Sequence, residues 1–519
     1  MIGMPSEGQL APVARPAGEQ QSAVTPAAAG KRARWSAALR RHWLAASLVT
    51  LGVLLRLMAQ FAYRPALFYI DSVKYLYDSQ GNDPEGYKAP LRAILAIANL
   101  NAVAALQHAA GIAIALVIYR LLLRRGVPRW LAALAMAPVL LDAYQLQQEQ
   151  TIMPTTLSEA LLVAGFAVLL WRPRTTWRAI LVAGLIFGTV ATVWQAAEAL
   201  IIPAAVFLLV AGGGWRQAVR RAAAMVAACA VPILAYCAGS YVFTGNFFLS
   251  HSGVTSLYGR TAAAADCAAI RLTPGERRIC PDAQDQAMGS DWLQFGYPSP
   301  VQADYRTLPR PEVDSLITGF NRAVLTQQPG RVLGAYVRDV AKLYAVTRHT
   351  EPGDPPISRW QFARSFPYLT PHATKPEVDA ITRQFGGGPP GVWRPVASFL
   401  HAYQLDGGYT PGPLLALCTL TGLAGSVVAL MRRRLDESAR QLALATFLFF
   451  AMGAAILLVS DVFVFSWRYQ LQALVTLVPA GVLGLTLLGR LVRSWRAAAL
   501  AGHAGRAGRA AAPELAADR

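Results

Sequence analysis

The ionisable side chains best suited to chemistry stand next to long apolar stretches of this sequence. Asp71 follows the first such stretch, and Arg468 and Tyr469 directly precede the last one. A carboxylate can accept a proton from an attacking hydroxyl group, and an arginine can hold a phosphate through two parallel hydrogen bonds. Base chemistry beside a lipid phosphate is therefore one interpretation. The alternative is that Arg468 only anchors the chain to headgroups, as arginines at the ends of membrane helices commonly do.

The segment 71–77 is predicted to form a short helix lying on the membrane surface. Asp71, Lys74 and Tyr75 are separated by three and four residues, a spacing that places side chains together on one helical face. Asp71 could act there as a base. Two simpler interpretations stay open: Asp71 could cap the helix through its side-chain oxygen, and Lys74 and Tyr75 could be interfacial anchors.

A second group of candidates lies toward the predicted outer ends of the first three apolar stretches. Asp142, Gln145 and Glu149 are three and four residues apart, which predicts one shared helical face. His108 and Arg56 lie in the outer halves of their spans, where an ionisable group is a functional candidate. A hydrogen bond to a neighbouring helix is the alternative role for His108.

The composition indicates an all-α polytopic integral membrane protein. Of the 519 residues, 54% are hydrophobic and 15% are charged, and the mean hydropathy is +0.35. Apolar runs of about 20 residues, enough to cross the bilayer as helices, recur along the chain. A transmembrane barrel would show shorter segments of alternating polarity, which these runs lack. No zinc pattern, nucleophile elbow or phosphate-binding loop occurs.

The net charge of +19 could suggest a nucleic-acid partner. The positions of the basic residues instead predict a lipid bilayer as partner and no nucleic acid. Lys and Arg residues are found mostly in short connectors between apolar runs, as expected for cytoplasmic connectors of a membrane protein. The alternation of these connectors predicts a multi-pass protein of the cell membrane with both termini in the cytoplasm and an extracytoplasmic active face.

About ten spans are predicted, in two modules separated by a polar domain. Residues 1–42 are predicted to be a disordered basic cytoplasmic tail, and 43–243 to hold about seven spans with the first outer loop at 64–99. A mainly helical extracytoplasmic domain covers 244–409, about three spans follow in 410–490, and 491–519 form a second basic tail. The predicted spans are 43–63, 100–123, 130–147, 156–171, 179–194, 199–211, 222–243, 413–431, 442–462 and 471–488.

This topology collects the acidic residues near span ends at one surface. Asp71, Glu149 and Arg468 are expected to meet there. Transporters more often place polar groups near the bilayer midplane, on broken helices within an inverted repeat, and no such repeat is found in the sequence. The acids predicted at the outer surface are Asp71, Asp142, Glu149, Glu159, Glu198 and Asp461.

The five cysteines fall into two groups. Cys267 and Cys280 bracket a short loop in the predicted outer domain and would face an oxidising compartment, which predicts a disulfide. Cys229, Cys237 and Cys418 lie within spans and are expected to be small packing residues.

The layout resembles the GT-C superfamily of membrane glycosyltransferases, of the actinobacterial type related to protein mannosyltransferases and aminoarabinose transferases. The resemblance rests on YIDSVKYL after the first span, LQHAAG in the second, the stretch RRGVPRWLAALAMAPVLLDAYQLQQEQTIM, and WRYQL before the last span. It covers about residues 43 to 245 and, less closely, the last spans. Many relatives have Asp-Glu where this chain has Asp71-Ser72, and several have an arginine where Trp194-Gln195 stands.

The resemblance implies an inverting enzyme that moves a sugar from a polyprenyl-phosphate donor to a glycan, lipid or protein acceptor. Asp71 and Glu149 would be its catalytic residues, and the substrate and lipid phosphate would be bound by Lys74, Tyr75, His108, Gln145, Arg468 and Tyr469. A divalent metal held by Asp71 and Glu149 is a further possibility. A secondary transporter or lipid flippase, or a noncatalytic assembly factor derived from such an enzyme, remain as alternatives.

Overall fold

The computed structural model describes residues 40–77, 84–250, 252–370, 373–431 and 435–511, without the side chains of 498 and 501–511. Most of the predicted N-terminal tail and the last eight residues of the predicted C-terminal tail lie outside the described residues.

The described chain is mainly helical, with two short strands, and ten of its helices are apolar. Six are long and apolar enough to cross a membrane, and four shorter ones have 10–17 residues. This confirms the predicted all-α membrane fold, with six of the ten apolar helices long enough to span a membrane. The long helices are Trp43–Ala62, Leu100–Arg124, Trp215–Thr244, Gly412–Leu430, Glu437–Phe463 and Tyr469–Ala497, and the short ones are Arg129–Leu141, Thr155–Leu170, Trp177–Val193 and Gln195–Ala211.

The third predicted span, 130–147, is wrong as a single helix. The helix Arg129–Leu141 ends at Asp142, and a separate helix, Ala143–Gln150, starts there with all eight residues buried. The Asp142 carboxylate accepts a hydrogen bond from the Tyr144 backbone N–H at 3.0 Å, so it caps the second helix. The predicted common face of Asp142, Gln145 and Glu149 is broken at this cap.

The last predicted span is also too short. A 3₁₀ turn, Tyr469–Leu471, and a short helix, Gln472–Val475, lead into one helix that runs from Leu477 to Ala511. Residues 491–511, predicted as a tail, are therefore helical. The alanine-rich sequence after Trp495 has high helix propensity, and no proline interrupts it before Pro513.

The polar domain, which we define as residues 252–409, is a set of helices with its own apolar core around Tyr258, Leu293 and Phe320. Cys267 and Cys280 are joined by a disulfide with a Cα–Cα distance of 6.1 Å. Its helices are Ser252–Ala264, Pro274–Arg278, Ala283–Ala287, Gly289–Phe295, Pro300–Thr307, Arg310–Gln327, Pro329–Lys342, Lys375–Phe385 and Arg394–Leu405, with a 3₁₀ turn at Ile357–Trp360.

The polar domain is fastened to one end of the membrane helices. The strand Tyr63–Arg64, directly after the first span, pairs antiparallel with Gly391–Val392. The Arg260 guanidinium, ion-paired with Asp339, donates to the backbone carbonyl of Asp461 at 2.9 Å. These contacts hold the domain against the loop between the first two membrane helices, whose own helices are Ile70–Leu76 and Lys88–Leu95.

Candidate functional site

A cavity of about 740 Å³ lies between the polar domain and the ends of the membrane helices. The membrane side contributes the helix Ile70–Leu76, the first turn of Thr155–Leu170 and the turn at 468–472. The polar domain contributes the helix Gly289–Phe295 and the turn Ile357–Trp360. The cavity is large enough for a small polar ligand.

Asp71 is held by two cations on the wall of this cavity. Its two carboxylate oxygens lie 3.2 Å from Lys74 Nζ and 3.3 Å from Arg468 Nη1. The helix N-cap is Tyr69, whose backbone N–H donates to Ser72 Oγ at 2.8 Å. Ser72, rather than Asp71, thus satisfies the helix start, and the capping interpretation of Asp71 is wrong.

Three aromatic rings surround the Arg468 guanidinium. Its Cζ lies 5.5 Å from the centroid of Tyr69, 5.1 Å from that of Trp360 and 4.8 Å from that of Tyr469, within range of cation–π attraction. Arg468 also donates to the Tyr469 hydroxyl at 3.0 Å. The rings limit the positions that the guanidinium can take, while its side chain stays 13% exposed.

The surroundings of Asp71 keep its carboxylate charged. Burial alone would raise the pKa of Asp71, but the charges of Lys74 and Arg468 outweigh burial and lower this pKa below its usual value. Asp71 is therefore a carboxylate at neutral pH, able to accept a proton but held by its two partners.

A second ion pair faces the same cavity from the polar domain. Arg359 Nη1 lies 3.2 Å from Asp291 Oδ2 and donates to the Tyr69 hydroxyl at 3.3 Å. Burial raises the pKa of Asp291, although Arg359 opposes this shift. Sequence reasoning missed Asp291, Arg359 and Trp360, because no spacing links these residues of the polar domain to the first outer loop.

Glu149 does not reach the cavity, contrary to the expected meeting with Asp71 and Arg468. Its side chain is completely buried, 2.8 Å from Arg56 Nη2 and 3.0 Å from His108 Nδ1. Gln145 donates to the same carboxylate at 3.3 Å. The charge of Arg56, itself buried among helices, accounts for the inward orientation of Glu149.

The other predicted residues divide between the cavity and this buried cluster. Tyr75 and Tyr469 line the cavity, whereas Gln145 and His108 belong with Glu149. Of the acids predicted at the outer surface, Asp71 alone lines the cavity. Asp142 pairs instead with Arg348 at 3.0 Å, and Asp461 accepts from Gln470 at 2.9 Å.

A metal held jointly by Asp71 and Glu149 does not fit this geometry, because the two carboxylates belong to separate clusters. Within the described ranges, no group of three or more His, Cys, Asp or Glu residues is arranged to hold a metal ion.

Three cations and three acids line the cavity. Lys74, Arg359 and Arg468 face it, against Asp71 and Asp291. A third lining acid, Asp354, pairs at 2.7 Å with Lys342, which also pairs with Asp339 at 2.8 Å. Two arginines and a lysine lining one cavity are groups that commonly bind phosphate.

Comparison with known proteins adds one structural likeness. No family model matches the chain, and no curated protein matches it in sequence. Among solved structures, it is similar to the archaeal oligosaccharyltransferase AglB from Archaeoglobus fulgidus, in complex with an inhibitory peptide and a dolichol-phosphate. The TM-score is 0.41 at 12% sequence identity, over 89% of this chain and 52% of the other. The chain thus spans about half the length of that protein.

Proposed function

We propose that this protein is an inverting glycosyltransferase of the GT-C type, which moves a sugar from a polyprenyl-phosphate donor to an acceptor at the extracytoplasmic membrane face. The observation that carries this proposal is the Asp71 carboxylate held between Lys74 and Arg468, in a cavity where the membrane helices meet the polar domain. The acceptor is a hydroxyl group of a glycan, lipid or protein.

In this mechanism Asp71 is the base. The acceptor oxygen attacks the anomeric carbon of the sugar while its proton passes to Asp71. The bond between the anomeric carbon and the lipid phosphate oxygen breaks on the opposite face, so that the configuration inverts. Arg468 and Lys74 stabilise the negative charge that develops on the departing phosphate.

Binding of the donor also changes the basicity of Asp71. A donor phosphate competes with Asp71 for Arg468 and Lys74, because both anions bind these two cations through ionic interactions. When the phosphate takes these cations, Asp71 loses the charges that lower its pKa and becomes a stronger base. Donor binding thereby activates the base, and the free enzyme keeps Asp71 weakly reactive.

The polar domain supplies the opposite wall of the site. Arg359 and Asp291 present a hydrogen-bonding pair across the cavity from the membrane helices, and Trp360 offers an apolar surface of the kind on which sugar rings pack. Trp194, which stands where several relatives have an arginine, stacks on Tyr469 at 5.9 Å between centroids. Arg359 is then the additional cation of the site.

The arrangement of charge supports the proposed orientation in the cell membrane. Arginine-rich connectors at 124–129, 172–178 and 216–221 adjoin the helix ends far from the cavity, as expected for the cytoplasmic side. Single cysteines at Asp379 and Arg216, in a chain without its other free cysteines, test this orientation. A membrane-impermeant thiol reagent added to intact cells should label the first and spare the second, and the reverse pattern would overturn the proposed sidedness.

The proposal is tested by comparing Asp71→Asn and Asp379→Asn in membranes supplied with a polyprenyl-phosphate sugar. Asp379 carries the same charge in an exposed ion pair with Lys375 at 2.6 Å, outside the cavity. We expect Asp71→Asn to abolish sugar transfer at normal expression and Asp379→Asn to leave it unchanged. Full transfer by Asp71→Asn would refute the proposed mechanism.

The donor is identified by comparing the lipids of a deletion strain with those of its parent. If the protein is a glycosyltransferase, one polyprenyl-linked sugar should accumulate when the gene is deleted. Wild-type protein should restore its normal level, and Asp71→Asn should not. Restoration by Asp71→Asn would favour an assembly factor. Accumulation confined to the inner leaflet would favour a flippase.

A further inference from the structure

A second cavity, of about 380 Å³, lies at the opposite end of the membrane helices. The helix Thr155–Leu170 contributes to both cavities: Thr155 and Ser158 line the first, and Leu169 and Leu170 line the second. At 1.5 Å per residue, the two ends of this helix are about 20 Å apart. The helix Glu437–Phe463 also contributes one end to each cavity.

Five arginines and one carboxylate line this second cavity. The carboxylate of Glu437 accepts a hydrogen bond from Gln441 at 3.0 Å. In the part of the chain that the structure describes, none of the five arginines forms an ion pair with a carboxylate. The five are Arg125, Arg172, Arg174, Arg221 and Arg440.

Two of these arginines donate hydrogen bonds to backbone carbonyl groups of neighbouring segments. Arg125 donates to the backbone carbonyls of Leu170 and Arg172, the second at 3.1 Å. Arg440 donates to the Ala211 carbonyl at 2.5 Å. These bonds satisfy carbonyl groups that the ends of the helices would otherwise leave unpaired.

The other three arginines, Arg172, Arg174 and Arg221, remain available to a ligand. Arg172 and Arg174 are exposed at the rim. Deeper in, the Nε atoms of Arg221 and Arg125 are buried without a hydrogen-bond partner. A buried donor without an acceptor is costly, and an anion in the cavity would remove that cost.

Part of the remaining wall is apolar and belongs to membrane helices. An anion that binds here therefore meets both a cationic rim and a hydrophobic surface, which is the chemistry of a phospholipid rather than of a free ion. The apolar lining residues are Leu169, Leu170, Phe207, Leu208 and Leu444.

We propose that this cavity binds the phosphate headgroup of an anionic membrane lipid, with Arg172, Arg174 and Arg221 around the phosphate and an acyl chain against the apolar wall. This site is separate from the proposed transferase site and does not depend on it.

The test uses purified full-length protein in a neutral detergent and dioctanoyl phosphatidate, titrated by calorimetry. Arg172→Gln/Arg174→Gln removes two exposed cations of the rim. Arg216→Gln/Arg220→Gln removes two exposed arginines of a neighbouring connector that do not line the cavity, so the charge change is matched. We expect the first pair to weaken binding about 30-fold and the second to change it less than threefold.

Two further probes identify the part of the ligand that is recognised. Dioctanoylglycerol, which lacks the phosphate, should not bind, and inorganic phosphate should bind much more weakly than the lipid. Equal affinity for inorganic phosphate would overturn the lipid assignment. Absence of phosphatidate binding, or equal losses in the two double variants, would overturn the site itself.

Discussion

Breaking the buried pair of Arg56 and Glu149 is expected to cost more stability than breaking an exposed ion pair of this protein. Glu149 is 0% exposed and Arg56 4% in their side chains. The substitution Glu149→Gln removes the negative charge at nearly constant volume. It leaves the guanidinium of Arg56 inside the helix bundle without its counter-charge.

The expected loss of stability depends on the hydrogen bonds that Arg56 retains. Breaking a buried ion pair by removing one partner costs about 3–5 kcal/mol. Arg56 retains hydrogen bonds to the carbonyls of Leu140 at 2.9 Å, Val139 at 3.0 Å and Gly52 at 3.1 Å. These bonds reduce the cost of the unpaired charge, so we expect the lower end, about 3 kcal/mol.

The measurement is equilibrium unfolding in mixed micelles of neutral detergent and sodium dodecyl sulfate. Asp304→Asn is the matched control, because Asp304 pairs with Arg278 at 3.0 Å while that arginine is 53% exposed. Exposed pairs contribute about 0.5 kcal/mol. Replacing both Arg56 and Glu149 by methionine should recover part of the loss, since neither charge is then buried alone.

Equal, small changes in the free energy of unfolding for Glu149→Gln and Asp304→Asn would refute this reasoning. Sugar transfer by Glu149→Gln, measured per folded molecule, separates the two roles considered for Glu149. Retained transfer with lower stability agrees with the buried position. Lost transfer with unchanged stability would restore the catalytic role that the resemblance implies.

Three further predictions concern the site and its supports. Lys74→Met removes one cation that lowers the pKa of Asp71, so the acid limb of kcat/KM against pH should move to higher pH; an unmoved limb would argue against Asp71 as the base. Gly111→Ala would place its Cβ 2.8 Å from Arg56 Nη2 and against the Glu149 carboxylate, and a lower unfolding temperature is expected than for the wild type. Replacing Cys267 and Cys280 by serine should cost about 3 kcal/mol in the polar domain, from the entropy of the opened loop, measured by unfolding of the domain with and without reductant.

Hydropathy determined the membrane helices because it depends on local sequence. Apolar runs long enough to cross lipid can fold in few ways other than as helices, so their approximate bounds follow from residue types. Helical spacing is also local. The separation of Asp71 and Lys74 therefore predicted a short helix with both side chains on one face. The break at Asp142 was missed because it depends on the orientation of one side chain, whose carboxylate caps the second helix.

The partners of these charges that lie far away in sequence were decided by the tertiary structure alone. Asp71 and Arg468 are 397 residues apart in the chain, and Arg359 reaches the same cavity from the polar domain. Nothing in the residue types distinguishes Asp71, which faces a cavity, from Glu149, which neutralises a buried arginine. The direction in which a carboxylate points depends on which helices pack around it, and that packing is set by contacts distant in sequence. For the same reason, the sequence indicated only a membrane orientation from the arginines of separate connectors. The structure shows that these arginines line one cavity.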